Sequence, residues 1–343
     1  MVNSERQKKI RAAHLRLMIL AAMLIIVFLV SFNIGRFEGI PFKDTVLIML
    51  SAIFPIEATW PQNHETVVLF IRFPRIMAAV LIGAALALSG ACYQTVFKNP
   101  LVAPDILGAS AGASLGAAIA IFSGLGYFYI QLFAFVFALG AVALACLVGT
   151  RIKRDPSLSL VLSGIFISSL ASAIVSLIKF LADPRDKLPA ITYWLMGSLA
   201  NITLTNIKWA IVLMLIGAVP LFLIRWRLNV LSMGDDEAKT LGIETKQLRR
   251  LVIVCSTLLT AASISIGGLI GWVGLVIPHL MRRFVGPDNK FLIPATVMGG
   301  GVFLLLVDNV ARSLTAMEIP LGVLTAIIGA PFFIGLMMYG REG

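Results

Sequence analysis

Charge is scarce in this chain. Only 13% of its 343 residues are Asp, Glu, Lys or Arg, while 59% are hydrophobic and the mean hydropathy is +0.96; a soluble globular domain carries about 25% charged residues. A soluble fold cannot hide that much apolar surface. The three cysteines, Cys92, Cys146 and Cys255, show no C-x-x-C spacing and fall inside apolar runs, which excludes a disulfide framework and a zinc site and makes them small core residues. His14, His64 and His279 stand alone and no H-E-x-x-H occurs, so nothing indicates a metal-dependent membrane hydrolase. There is no G-x-x-x-x-G-K-[ST] either, so the chain does not bind and hydrolyse ATP through a P-loop. It is expected to be no enzyme, with no catalytic residue, no metal and no cofactor of its own.

What is present is a succession of uncharged runs of about 20 residues, each long enough to cross a hydrocarbon core of roughly 30 Å. The first, Leu17 to Gly35, follows the basic stretch Arg6, Lys8, Lys9, Arg11 and Arg16 as a signal peptide would. It is too long for an h-region, and Arg36, Phe37 and Glu38 follow it in place of a small-residue cleavage site, so a retained helix is predicted. The runs give ten candidate helices starting near residues 17, 70, 107, 127, 157, 206, 248, 269, 291 and 321. The seventh and eighth form one uncharged stretch, Leu251 to Met281, broken at Gly267 and Gly268. The expected fold class is therefore an all-α polytopic membrane protein, a single transmembrane domain over residues 1–343.

The 28 Lys and Arg residues lie between the apolar runs, so the net charge of +11 marks orientation and not a nucleic-acid binder. With the N-terminus inside, 19 basic residues fall on inner segments and nine outside. Cytoplasmic loops carry the Lys/Arg excess, which places both termini in the cytoplasm. Two outer loops are then long, Arg36 to Glu65 and Ala182 to Thr205. Within the latter, Leu188 to Leu199 is apolar enough for a short surface helix.

Gly108, Gly112 and Gly116 share a helical face, as do Gly83, Ala87 and Ala91, and Gly322, Ala326 and Ala330; these read as close-packing stripes. The fifth helix carries a polar stripe instead. Ser168, Ser172 and Ser176 lie on one face, with Ser159 and Ser163 before them, and the hydroxyls either bond to backbone carbonyls or line a water-filled path. Asp308 is the one acid predicted inside a helix, with Arg312 one turn later, and the two read as a structural ion pair. In the inner loop, Gly234 to Gly242 reads as a short capped helix, with Asp235, Asp236 and Glu237 in the first turn and Gly242 at its stop. It is either a solvated loop helix or a docking element for a soluble partner.

Several long stretches resemble the FecCD family of ABC permeases, the cobalamin, haem and iron-siderophore group. They include Arg72-Phe73-Pro74-Arg75, the run Gly83 to Gly90 with Gln94, Asn99-Pro100-Leu101, Pro104 to Gly108, Trp194 to Ser198, Gly271 to His279, Asp308 and Arg312, Glu318 to Gly322, and Thr325 to Pro331. The resemblance spans about Arg72 to Pro331. It implies a type II ABC importer fold like that of the cobalamin permease, in the prokaryotic inner membrane. The implied partners are two ATPase subunits below, a substrate-binding protein above and a second permease subunit, identical or homologous, within the bilayer. The implied cargo is iron-siderophore or haem, with cobalamin or a molybdate-type oxyanion behind. An ion-coupled secondary transporter is the alternative, disfavoured by the scarcity of buried acids.

Carried over by position, Arg72, Arg75 and Arg312 resemble outward arginines that dock the binding protein's carboxylates. Residues 226–247 resemble the coupling loop, with Gly234, Asp235, Asp236, Glu237, Leu241 and Gly242 against the ATPase. Pro156, Ser157 and Leu158, after Asp155, resemble the inner gate, although Pro156 and Leu158 stand where relatives have small polar residues. With Ser168, Ser172 and Ser176 they form the expected translocation path.

Overall fold

A computed structural model of the chain describes residues 2–35, 37, 39–52, 54–152 and 156–339; the side chains of Pro156 and Asp235 fall outside the description, as does Asp155. Among the described residues there are helices and no strand. In chain order these are α1 (Val2–Ser31), α2 (Phe42–Ser51), α3 (Gln62–Glu65), a π-helical turn (Thr66–Arg72), α4 (Phe73–Val96), α5 (Ala109–Phe122), α6 (Tyr127–Arg151), α7 (Pro156–Leu181) and α8 (Lys187–Met196). There follow α9 (Leu204–Leu223), α10 (Arg225–Met233), α11 (Asp235–Thr240), α12 (Thr245–Gly267), α13 (Val273–Val285), α14 (Asn289–Ser313) and α15 (Leu321–Tyr339).

Seven of these helices are long and apolar enough to cross a membrane: α1, the continuous Gln62–Val96, α6, α7, α9, α12 and α14. The other three expected starts fall on α5, α13 and α15, which are shorter. α5 has 14 residues and α13 has 13, and at 1.5 Å per residue each rises only about 20 Å. Non-helical segments complete them. Pro100 and Pro104 lack amide hydrogens, and Gly108 stands at φ +90°, so the chain cannot continue α4 and instead runs irregularly to Ala109. The predicted break at Gly267 and Gly268 is present: α12 ends at Gly267 and Gly268 turns at φ +68°. The predicted surface helix is α8. The chain between α9 and α11, expected only as loop, holds α10, whose Leu228 and Leu231 are fully buried.

Three helices make the core. The apolar windows of Gln62–Val96 and α12 are each 78% buried and that of α14 is 72% buried, against 11% for α1. The buried three are rich in small residues, so their backbones approach closely. A Cβ at Gly83 would sit 2.2 Å from the Gly300 carbonyl oxygen, and one at Gly90 would sit 1.8 Å from that of Gly274. Hydroxyls add direction across α4 and α12: Ser89 bonds Thr260 at 3.0 Å and Tyr93 bonds Thr257 at 2.9 Å. Cys92 and Cys255 are buried among these residues, as expected of core positions. The outer helices instead expose large apolar side chains, such as Phe166, Leu170 and Leu177 on α7 and Trp209 and Leu215 on α9. Lipid or another chain must cover them.

Candidate functional site

A charge cluster closes the bundle at the α8 end. Asp308, on α14, is fully buried. Arg75, from the first turn of α4, reaches its two oxygens through Nε at 2.9 and 3.2 Å and donates from Nη1 to Glu318 Oε1 at 2.8 Å. Arg312 lies 3.6 Å from Asp308 and donates at 2.6 Å to the Ser31 carbonyl and at 2.6 Å to Asn309 Oδ1. Arg72, at the end of the π-helical turn, donates to the carbonyls of Phe32 and Phe37. These bonds tie α1 to α4 and α14.

The expectation of outward arginines is corrected in one respect. Arg72, Arg75 and Arg312 are 4%, 7% and 4% exposed, so each guanidinium points into its own chain. A buried cation is costly unless its charge is paired and its donors are used. Here Asp308 and Glu318 pair Arg75, main-chain carbonyls take the donors of Arg72, and Arg312 lies against Asp308 with its Nε making no hydrogen bond. The Asp308–Arg312 pair exists, but Arg75 is the closer partner. The sequence reading has Glu318 only within the stretch Glu318 to Gly322 and gives it no partner, because it lies in the α14–α15 connection, far along the chain from Arg75.

The glycine stripes pack helices. Positions for a Cβ at Gly112 and Gly116 lie 2.4 and 2.2 Å from the carbonyl oxygens of Phe137 and Phe133 on α6, and one at Gly322 lies 2.6 Å from that of Leu269. On α7 the polar stripe divides. Ser159 and Ser163 are buried, and Ser163 donates to the Ala145 carbonyl at 2.7 Å, so this half is structural. Ser168 is half-buried, facing the turn at Gly108, while Ser172 and Ser176 are exposed, with Ser176 bonding back to the Ser172 carbonyl at 2.9 Å. At the start of α7, Ser157 is half-buried and Leu158 is 47% exposed.

The two helix breaks meet in space. Residues 103–105 and 269–272 border a cavity of about 380 Å³, lined also by Ser110 and Thr260 among others. Leu86, midway along α4, also lines it, which puts the cavity at mid-bundle depth. Irregular backbone at that depth is tolerated where it borders protein or water and not lipid, and an acid there is a functional marker. Trp272 holds φ +69°, an uncommon conformation for a bulky residue, and its side chain packs on Gly329 of α15, where a Cβ would fall 2.6 Å from the Trp272 Cβ and 2.8 Å from its ring. Sequence reasoning has Asp105 only within the stretch Pro104 to Gly108 that carries the resemblance and gives it no role, because it lies outside the predicted helices; Pro100 and Pro104 before it were the available signal. Gly108-Ala109-Ser110-Ala111-Gly112 also spells G-x-S-x-G, but a nucleophile elbow needs a strand before the helix, and irregular chain precedes Ala109.

At the opposite end, α10 and α11 form a shelf. Asn229 of α10 donates at 2.7 Å to Asp288 and accepts at 2.8 Å from the Asn289 amide, fixing the shelf to the start of α14. α11 begins after Gly234, over which the Glu237 carboxylate folds, at the end of the helix where the dipole favours an anion. It stops at Gly242, φ +76°, with Ile243 N–H on the Ala238 carbonyl at 3.0 Å and Gly242 N–H on that of Lys239 at 2.9 Å, the bond pair of a Schellman motif. Asp236, Glu237 and Leu241 are exposed, Leu241 by 62%, while Ala238 is fully buried. The predicted short helix is thus present, with Asp236 and Glu237 of its first turn and Leu241 just past its end turned outward.

Residues 23–339 match the model of the FecCD transport family. The chain is 40% identical over 321 residues to the molybdate import system permease protein MolB of Haemophilus influenzae, covering 93% of this chain and 94% of that one. It is 42% identical over 280 residues to an iron chelatin transport system permease protein of Helicobacter pylori, covering 82% and 85%. A solved chain from a metal-chelate type ABC transporter in an inward-facing conformation superposes with a TM-score of 0.84 at 40% identity, covering 94% of this chain and 98% of that one. A multi-pass helical membrane protein with these matches over nearly its whole length is a permease-type chain and a member of the FecCD transport family.

Proposed function

We propose that this chain is the membrane-spanning subunit of an ATP-driven importer in the prokaryotic inner membrane, moving a metal chelate into the cytoplasm. The observation that carries the reading is the near full-length agreement in sequence and fold with permeases of molybdate and iron chelate systems. The sequence has no P-loop, and in this reading ATP is hydrolysed on separate ATPase subunits. The shelf of α10 and α11 lies at the Lys/Arg-rich end, so it faces the cytoplasm together with both termini, in a ten-span arrangement that counts α5, α13 and α15 as crossings.

Residues 226–247 are the coupling loop in this reading, with Asp236, Glu237 and Leu241 meeting the ATPase. Leu241→Glu is expected to leave uptake at least tenfold lower while ATP hydrolysis continues in the reconstituted complex. Unimpaired uptake by this variant removes Leu241 from the coupling contact. The cargo path follows the Ser168–Ser176 face of α7 and the cavity of Asp105 and Trp272, with Ser157 and Leu158 near its inner mouth. A second permease chain, identical or homologous, covers the exposed face of α7. The binding protein is assigned to the α8 end. Its carboxylates are to meet Arg72, Arg75 and Arg312, and because all three are buried here, each must exchange a present partner to do so.

The cargo is a metal-containing compound: ferric siderophore or haem by the sequence resemblance, with cobalamin or a molybdate-type oxyanion behind, molybdate being the compound in the name of the Haemophilus relative. A panel of these compounds in an uptake assay separates them.

A further inference from the structure

Helices α6 and α12 part at the shelf end and leave a crevice of about 820 Å³. Its upper walls are apolar. Leu139, Val142, Ala143 and Cys146 recur every three or four residues on α6, facing Ile253 and Val254 of α12. Its mouth is cationic, lined by Lys239, Lys246, Arg249 and Arg250, and no carboxylate is among the described lining residues. Lys239 is shared with Asp236 at 3.0 Å.

The crevice straddles a polarity step. α12 is polar from Thr245 to Arg250 and apolar from Leu251 onward, so the mouth sits at the membrane surface and the walls sit within hydrocarbon. The distance from Lys246 to Thr257 along α12 is about 16 Å at 1.5 Å per residue, roughly half the ~30 Å core. A groove one leaflet deep, greasy above and cationic below, has the shape and charge of an anionic phospholipid. A soluble protein could reach the mouth but not the walls.

We propose that this crevice binds an anionic phospholipid, with its headgroup phosphate on Lys246 and Arg250 and an acyl chain along Ala143 and Val254. Charge-assisted bonds from the guanidinium and ammonium hold the phosphate. The long basic side chains keep their charge at the surface while their stems cover apolar wall. This assignment does not depend on the cargo; Lys246 stands near the end of the coupling loop proposed above, so it requires that a docked ATPase leave the mouth free.

The test is lipid retention by the purified full-length chain after exposure to phosphatidylglycerol or phosphatidylcholine vesicles, read by native mass spectrometry. Wild type is expected to retain phosphatidylglycerol in preference to phosphatidylcholine, and millimolar inorganic phosphate is expected not to displace it. The double variant Lys246→Gln/Arg250→Gln and the crevice-filling Ala143→Trp should each lower retention at least fivefold while eluting as the wild type does on size exclusion. Lys187→Gln, at the opposite end, should retain it normally. Equal retention of both lipids, unchanged retention in both variants, or displacement by inorganic phosphate would overturn the assignment. Loss of the lipid whenever an ATPase subunit binds would overturn it too, since the mouth would then belong to that protein contact.

Discussion

Asp308→Asn is expected to destabilise the protein by about 3–5 kcal/mol, the cost of breaking a buried ion pair from one side. The magnitude follows from what is left behind. Asp308 is fully buried and bonds Arg75 through both oxygens, with Arg312 at 3.6 Å, so a neutral amide leaves two buried guanidinium groups sharing Glu318 as their remaining acid. The check is the apparent melting temperature in detergent, together with the fraction that elutes as a single species. Glu318→Gln should cost about 1 kcal/mol or less, because its side chain is 27% exposed and water can replace part of the lost bond. An Asp308→Asn protein as stable as wild type would mean that the cluster does not bind α1, α4 and α14 together.

The second large effect is expected at the backbone contacts of α4. A Cβ at Gly90 falls 1.8 Å from the Gly274 carbonyl oxygen, and the nearest atoms are all main chain. Overpacking of a core by side chains costs about 1–3 kcal/mol, but no rotamer change relieves a clash of backbone on backbone, so α4 and α13 must move apart. Gly90→Val should therefore give little folded protein, as should Gly83→Val against Gly300. Gly140→Val is the control. A Cβ there meets nothing within 4 Å, and the variant should express as wild type does. Normal expression and melting of Gly90→Val would refute the close approach of these helices.

Much of this was legible in the chain. Uncharged length alone located the long helices, because a hydrocarbon core demands about 20 apolar residues. Glycine chemistry located Gly268 as the end of α12 and Gly242 as the end of α11, since each turn takes a positive φ that other residues resist. The inward aim of Arg72, Arg75 and Arg312 was not legible. An arginine at a helix end has the same local sequence whether it meets solvent or a buried acid, and what turned Arg75 inward is Asp308, 233 residues away. The reading as a short ion pair within α14 saw only the neighbour four residues on.

The cavity at mid-bundle was hidden for a different reason. Hydropathy averages over windows, so Asp105 just after Pro104 and Trp272 just after Gly271 look like ordinary connections. Only the short rise of α5 and α13 reveals that these connections descend into the bundle. The helix α10 was missed because its apolar Leu228 and Leu231 are set among Arg225, Arg227 and Asn229, too polar for a span. Its burial comes from docking on α4 and α14, not from its own periodicity.

The most direct test of the importer reading is uptake into liposomes carrying this chain with its cognate ATPase and binding protein. Ferric siderophore, haem, cobalamin and molybdate would be offered in turn. The expected result is accumulation of one compound that requires ATP inside the cytoplasmic-facing compartment and the binding protein on the opposite side. Accumulation by this chain alone, driven by a proton or sodium gradient and indifferent to ATP, would contradict it and establish a secondary transporter.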